Sequence, residues 1–458
     1  MTDDSPHGVS RRDLIKSVAA VGAGFGLSQL GFPSDARAET VRAGDDTPPL
    51  LPSMMDVRFE PRAVPRIAIV GTGLRGRSML GELLGVGGVK ITALCDIVPE
   101  KVEKAKAMMR MAGHDYEPAV YTGGERDFER LCARDDVDFV YTATPWAWHV
   151  PVAMSAMTHG KHVGTEVPVA FTIEDSWRLV DTSEQTRRHC MMMENCCYGY
   201  NELLVLQMVR AGVFGQLKHG GAAYNHDLRS ILFETRDEGL WRREAHQKRN
   251  GNLYPTHGLG PVAWYLGINH GDRFDYMVSM STPEFGLTKW REDHVPKDDP
   301  RWKEKYVTGD LNSSLIKTAQ GRTIRLEHNV SSPRPYSRIN SIEGTNGLFE
   351  DYPARIYIEG HGKSDAWTTI DEYKTQYEHP WWKEQGERAR TGGHGGMDFI
   401  MAWRLVTCLR DGLVPDMNVY DAAAWSAPGP LSERSVATGS APVEIPDYTR
   451  GRWRTPPA

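Results

Sequence analysis

Six consecutive residues, Gly71-Thr72-Gly73-Leu74-Arg75-Gly76, carry the spacing G-x-G-x-x-G, and an acid, Asp96, stands twenty residues after the last of them. In this pattern the first glycine makes a tight turn, the second lets backbone approach a pyrophosphate, and the third lets a helix pack closely on a strand. The phosphate charge sits against amide N–H groups at the helix N-terminus, and the acid accepts from the ribose hydroxyls. The chemistry is dinucleotide binding. A carboxylate at Asp96 repels a 2′-phosphate, so the expected cofactor is NAD rather than NADP.

The motif is weak alone and gains force from the elements around it. Arg66-Ile67-Ala68-Ile69-Val70 is a short β-branched run, as expected of a strand buried on both faces, and residues 77–84 after the glycines read as helix. Lys90-Ile91-Thr92-Ala93-Leu94-Cys95 reads as a second strand and residues 138–144 as a third parallel one. The loop Pro145-Trp146-Ala147-Trp148-His149 then falls at a carboxyl end, where open α/β sheets bind ligands. Trp146 and Trp148 suit core packing as well as ligand contact. A helix over 152–159, a strand over 162–165, Glu166-Val167-Pro168, a helix over 173–189 and a strand-like stretch over 190–195 complete this half. Beyond it, residues 220–226, 323–330 and 339–345 alternate as strands do, a turn over 254–260 precedes a helix at 261–266, and residues 397–410 are strongly helical.

The fold class is therefore α/β, with an N-terminal Rossmann dinucleotide-binding domain over 62–196 and a second α/β domain over 197–415, followed by a C-terminal extension over 416–458. A chain of 458 residues has length for two such domains. Its net charge of -6, pI near 6.3 and 25% charged residues give no basic excess of the kind that favours nucleic acid or an anionic membrane. A neutral small substrate suits that balance. Ser10-Arg11-Arg12-Asp13-Leu14-Ile15-Lys16, the modest apolar run to Leu30 and Ala36-Arg37-Ala38 read as a twin-arginine signal peptide over 1–38. The run is short of the roughly 20 strongly apolar residues of an anchor. Recognition by the twin-arginine export machinery and a periplasmic or secreted location are expected, with no membrane anchor. Cys95, Cys132, Cys190, Cys196, Cys197 and Cys408 form no CxxC pair or zinc spacing, and a chain folded before export cannot rely on disulfides; they read as core thiols. His226, His328 and His394 share no zinc-like spacing, and no metal is expected.

The Rossmann pattern resembles the glucose–fructose oxidoreductase and inositol dehydrogenase superfamily, whose members place an E-K-P motif where this chain has Glu166-Val167-Pro168. Within it the strings GLRGR, TPWAWHVPVA, GKHVGTEVPVA, MMMENCCYG, KRNGNLYPTHGLGPVA and GGHGGMD are similar to those of glycoside hydrolase family 109, the NAD-dependent α-N-acetylgalactosaminidases. The superfamily's acid/base lysine is Val167 here, and its second-domain Asp and His give way to Tyr254-Pro255-Thr256-His257. Both departures weaken an ordinary dehydrogenase reading.

The resemblance implies a second-domain sheet that is largely antiparallel and covers the nicotinamide, and pairing of copies into a homo-oligomer through its open face. It implies NAD contacts at Leu74, Arg75, Asp96, Trp146, Ala147, Trp148, His149, Glu166, Val167 and Asn195, beside the motif glycines Gly71, Gly73 and Gly76. It places a carbohydrate against Tyr224, Arg242, Tyr254, Pro255, Thr256, His257 and Tyr336. The implied reaction is hydrolysis without net redox: NAD takes hydride from the sugar's 3-carbon, the 2-proton leaves, the glycosidic oxygen departs, water adds, and the hydride returns. His257 is the best base, since imidazole titrates near neutrality, and a buried structural histidine is the plain alternative. Tyr254 and Tyr224 are the other candidate catalytic residues, able to exchange a proton with a hydroxyl or simply to pack. Arg242 offers a planar fork to a hydroxyl or an acetamide, or forms a surface ion pair. No paired-carboxylate motif is recognisable. A sugar oxidoreductase with net turnover is the second reading, and a sugar-binding protein with structural NAD the third.

Overall fold

The apolar run Arg66–Val70 forms β1 and is hydrogen-bonded on both edges, parallel to β2 (Lys90–Cys95) and to β4 (Phe139–Thr142), in a computed structural model that describes residues 51–455. The twin-arginine segment lies outside the described residues. With β3 (Ala119–Tyr121), β5 (His162–Thr165) and β6 (Cys190–Met192) the sheet has the order β3-β2-β1-β4-β5-β6 and is parallel throughout. This is the Rossmann order, in which the chain reverses direction of travel between β1 and β4 and opens a crevice at the strands' carboxyl ends. The strand expected third is thus the fourth. The missed β3 has three residues, Ala119-Val120-Tyr121, and is too short to show a period.

The second sheet has eight strands, ordered β13-β12-β11-β7-β10-β9-β8-β14. Here β7 is Leu217–Asn225, β8 Phe274–Ser281, β9 Asn312–Thr318, β10 Thr323–Asn329, β11 Ser341–Gly344, β12 Gly347–Glu350, β13 Arg355–Ile358 and β14 Val443–Glu444. Only β7 and β10 pair in parallel; the other pairs are antiparallel. Helices Thr256–Leu266 and Pro428–Ala437 cover one face. The strands alternate buried with accessible positions, and Tyr276, Met280 and Leu315 stand exposed on the open side.

Two expectations are corrected. The helix read as starting at Pro261 begins at Thr256, with Pro261 inside it. Its glycines serve contact rather than a turn: a Cβ on Gly258 would lie 2.2 Å from the Ala223 backbone nitrogen, and one on Gly260 2.9 Å from the Glu194 Cγ. The bare Gly258 seats the helix directly on β7, and the bare Gly260 seats it against Glu194. Residues 416–455 are no extension. Helix Val419–Ser426 packs on helix Ile173–Thr186 of the Rossmann half, helix Pro428–Ala437 packs on β8, and β14 is the sheet's edge strand. Burial of Tyr420, Trp425 and Leu431 drives this weaving. All six cysteines are buried free thiols. No helix among the described residues is long and apolar enough to cross a membrane.

Candidate active site

The G-x-G-x-x-G turn behaves as its glycines require. Gly71 holds φ +87, and a Cβ there would lie 2.7 Å from the Ala143 carbonyl oxygen of the neighbouring strand end. A Cβ on Gly76 would strike the Gly71 oxygen at 1.8 Å, whereas one on Gly73 would meet nothing within 4 Å. The middle glycine thus faces open space, where a pyrophosphate would lie against the N-terminus of helix Leu74–Val86. Asp96, just past β2, accepts from the Thr72 amide (2.8 Å) and the Val98 amide (2.9 Å), which fixes its carboxylate at the crevice. The cleft above these groups has a volume of about 370 Å³, and these residues fit a dinucleotide.

At the far end of the cleft the second domain supplies an aromatic wall. Tyr224 on β7 and Tyr254 pack tilted at 43° with 4.6 Å between centroids, and Tyr254 leans toward Trp146 at 5.9 Å. Arg242 lies over the Tyr254 ring at 4.8 Å and the Trp146 ring at 5.1 Å and pairs with Glu238 at 2.6 Å. It is buried, not a surface ion pair. Tyr336 lies behind this wall and does not line the cleft, with its ring 6.3 Å from Tyr224 and 4.9 Å from His226. Burial raises the hydroxyl pKa of both Tyr224 and Tyr254, so each stays a neutral phenol that donates as well as accepts.

Two imidazoles are each bonded to a buried carboxylate. His257, on the first turn of helix Thr256–Leu266, donates Nδ1–H to Glu194 Oε1 at 2.7 Å. Glu194, just after β6, has a fully buried side chain. Burial alone would raise its pKa, and the His257 charge and hydrogen bond bring it below the ordinary value. His394 donates Nδ1–H to Asp398 Oδ2, also at 2.7 Å. Asp398 is equally buried and is held well below the ordinary carboxylate range by His394 and Arg75, which outweigh the upward push of burial. An ionised partner at Nδ1 orients each ring and leaves Nε2 as the atom that can exchange a proton. The pairs are joined. Asn195, the residue after Glu194, donates from its side chain to Asp398 at 2.7 Å.

The remaining carboxylate at this end, Glu166, accepts from Arg75 (2.8 Å) and Tyr141 (2.6 Å). Val167 beside it is buried, and Arg75 is the cation paired with Glu166. Glu194, Cys196 and His257 are a set of metal-type ligands converging among the described residues. Glu194 Oε1 already accepts from His257 and from the Cys196 amide, and burial pushes the Cys196 thiol well up, away from the thiolate that metals bind.

Residues 198–455 match the family model of the glycosyl hydrolase 109 C-terminal domain, and residues 65–194 that of the oxidoreductase family, NAD-binding Rossmann fold. A glycosyl hydrolase family 109 protein of Solibacter usitatus is 56% identical over 448 residues, covering 97% of this chain and 98% of that protein. The chain belongs to glycosyl hydrolase family 109. Its Rossmann half is an NAD-binding domain. Another family 109 protein, from Shewanella amazonensis, is 46% identical over 454 residues, with 98% of each chain covered. Among solved structures, a levoglucosan dehydrogenase in complex with NADH superposes with TM-score 0.64 at 17% identity, covering 83% of this chain and 99% of that one. A scyllo-inositol dehydrogenase from Lactobacillus casei does so with TM-score 0.58 at 14% identity, covering 83% and 99%. At such identities the likeness is one of fold.

In this family 109 member, most residues singled out in the sequence meet at one cleft. Gly71, Gly73, Leu74, Arg75, Asp96, Trp146, Trp148, His149, Glu166 and Val167 line its Rossmann side, and Arg242 and Tyr254 its far wall. Gly76 packs beneath the turn, and Ala147 is not in the wall. Asn195 is buried and turned to Asp398. Thr256 and Pro255 are buried behind Tyr254 and His257, so they position rather than present. His149 is clamped between the carbonyls of Pro168 (2.8 Å) and Thr144 (3.1 Å), and burial lowers its pKa; it braces the cleft floor. Glu194, Asp398 and His394 were missed as site residues, although all three stand in strings that resemble the family.

Proposed function

We propose that this family 109 enzyme removes terminal α-linked N-acetylgalactosamine by an NAD-dependent cycle that ends in hydrolysis with no net redox. What carries the reading is the state of the carboxylates at the sugar end. Glu166, Glu194, Glu238 and Asp398 each have an arginine or imidazole partner within 2.8 Å, so none of these four stands free to act in an ordinary two-carboxylate hydrolysis. The His257 imidazole stands against Tyr224 and Tyr254 instead, and a second imidazole, His394, is bonded to Asp398. The chemistry NAD supplies when bound is reversible removal of hydride from the sugar's 3-carbon, which acidifies the 2-hydrogen while the ketone lasts.

The chain's own residues then have proton work. His257, held by Glu194, takes the 2-proton at Nε2. Tyr254 and Tyr224, kept as phenols, hold the 3-hydroxyl; Tyr224 relays its proton to His226 Nδ1, 3.2 Å from the phenol oxygen, and takes it back when the hydride returns. His394, held by Asp398 at Nδ1, enters the cycle protonated at Nε2, gives that proton to the departing glycosidic oxygen and regains one from the water that adds. Arg242 orients the acetamide or a hydroxyl through its fork. Val167 supports a closed cycle over net oxidation, because the lysine that serves a dehydrogenase is missing. A twin-arginine leader would export the folded protein with its cofactor inside, and a cycle that regenerates NAD needs no external pool.

The test is release of p-nitrophenol from p-nitrophenyl α-N-acetylgalactosaminide by purified protein in deuterated water with no added NAD. Release with deuterium at the product's 2-position is expected. Release without deuterium rejects the elimination route, and no release rejects this sugar as substrate. Cell fractionation of the tagged full chain, with Arg11 and Arg12 changed to lysine in the control, tests export: retention of only the control in the cytoplasm is expected.

A further inference from the structure

We propose that Asp398 is the positioning residue of the NAD site, acting from the C-terminal domain through Arg75. This rests on NAD binding and not on the identity of the sugar. Asp398 lies in the first turn of helix Met397–Asp411, where its charge also suits the helix N-terminus. It never faces the cleft: its side chain is wholly buried. Yet it accepts 2.7 Å hydrogen bonds from Arg75 Nη1, Asn195 Nδ2 and His394 Nδ1.

Arg75 is the link to the cofactor. It follows the middle glycine of the phosphate turn by two residues and lines the cleft, and its Nε donates to Glu166, the last polar residue before Val167. One guanidinium therefore spans the two ends of the Rossmann wall, the glycine turn and the end of β5. Its planar fork has fixed directions, so the carboxylate on one edge sets where the other edge points. That carboxylate comes from 323 residues away, in the other domain. Burial would lower the Arg75 pKa, and Glu166, Tyr141 and Asp398 hold it well above the ordinary value, so the pair is a permanent charge pair and not a proton relay. A buried charged partner of this kind is costly to remove because the other charge is left unpaired. The cofactor site is thus completed by the glycosyl hydrolase 109 domain, and the Rossmann half alone lacks the group that aims Arg75.

The experiment measures exchange of bound NAD for isotopically labelled NAD in purified holoenzyme. It compares Asp398→Asn, Arg75→Gln and the double variant with the unchanged protein. About tenfold to a hundredfold faster exchange is expected for each single variant. The double variant is expected to exchange no faster than the faster single one, since both changes remove one unit. Unchanged exchange in Asp398→Asn overturns the proposal, as do effects that multiply in the double variant, which would mark two independent structural losses. If Asp398→Asn does not fold, Asp398→Glu, which keeps the charge and displaces it, carries the same cycle. Faster exchange in the variants of a protein whose unchanged form releases no sugar would support the proposal and count against the sugar chemistry alone.

Discussion

The two imidazole–carboxylate pairs share a 2.7 Å hydrogen bond and differ in everything that holds it. Glu194 and His257 stand on a strand end and a helix locked face to face by Gly258 and Gly260, and the His257 side chain is 15% exposed. Asp398 starts a helix, but His394 rides a glycine run in which His394, Gly395 and Gly396 all take positive φ (51, 71 and 97), and its side chain is 61% exposed. The difference matches two kinds of proton work. Removing a hydrogen from one fixed ring carbon needs a base held by packing. Meeting the oxygen of whatever aglycone departs suits an imidazole near solvent, anchored at one nitrogen.

The largest effect should come from the packed pair. His257→Ala is expected to lower kcat/KM by about 10³-fold while the protein keeps its NAD, checked by steady-state kinetics and by NAD released on denaturation. Gly258→Ala attacks the seating of that pair, because its Cβ would meet Ala223 backbone that cannot step aside. A loss of about 3 kcal/mol in urea unfolding is expected, with activity falling in parallel. His394→Ala should cost about 10²-fold on an alkyl glycoside and little on p-nitrophenyl glycoside, whose leaving group needs no proton. Equal losses on both would erase the distinction between the pairs.

Acid should lower stability through buried imidazoles outside the two pairs. Burial lowers His162 from 6.5 to about 4, and His189 and His246 to about 3. In that window the unfolded chain binds more protons than the folded one, so stability is full above pH 6.5 and falls as pH drops toward 4. The loss is on the order of 1 kcal/mol per pH unit for each imidazole, read as a falling melting temperature. The smallest effect belongs to the glycine loop: a Cβ on Gly395 meets nothing within 4 Å, so Gly395→Ala pays only for its left-handed φ, about 1 kcal/mol.

What could be read from sequence was what local pattern determines. The glycine turn, the strand before it and Asp96 lie within one short stretch, and each needs its residue type for a backbone reason. The partners of His257 and His394 are of another kind. Glu194 is 63 residues from His257, and only the fold brings them together. Asp398 is four residues from His394, yet its reach to Arg75 across 323 residues leaves no periodic trace. Pro261 misled because proline usually starts or breaks a helix, whereas here packing of Gly258 and Gly260 carries the helix through it. Residues 416–455 looked like an appendage because their short elements bury themselves against both domains and form no unit of their own.

The most direct measurement mixes His257→Ala, purified with its NAD, with p-nitrophenyl α-N-acetylgalactosaminide and follows near-ultraviolet absorbance of reduced nicotinamide together with p-nitrophenol. Reduction of the bound cofactor without release of p-nitrophenol is the predicted result, because oxidation precedes the proton step that His257 performs. Release of p-nitrophenol at the unchanged protein's rate with no sign of reduction would contradict the account.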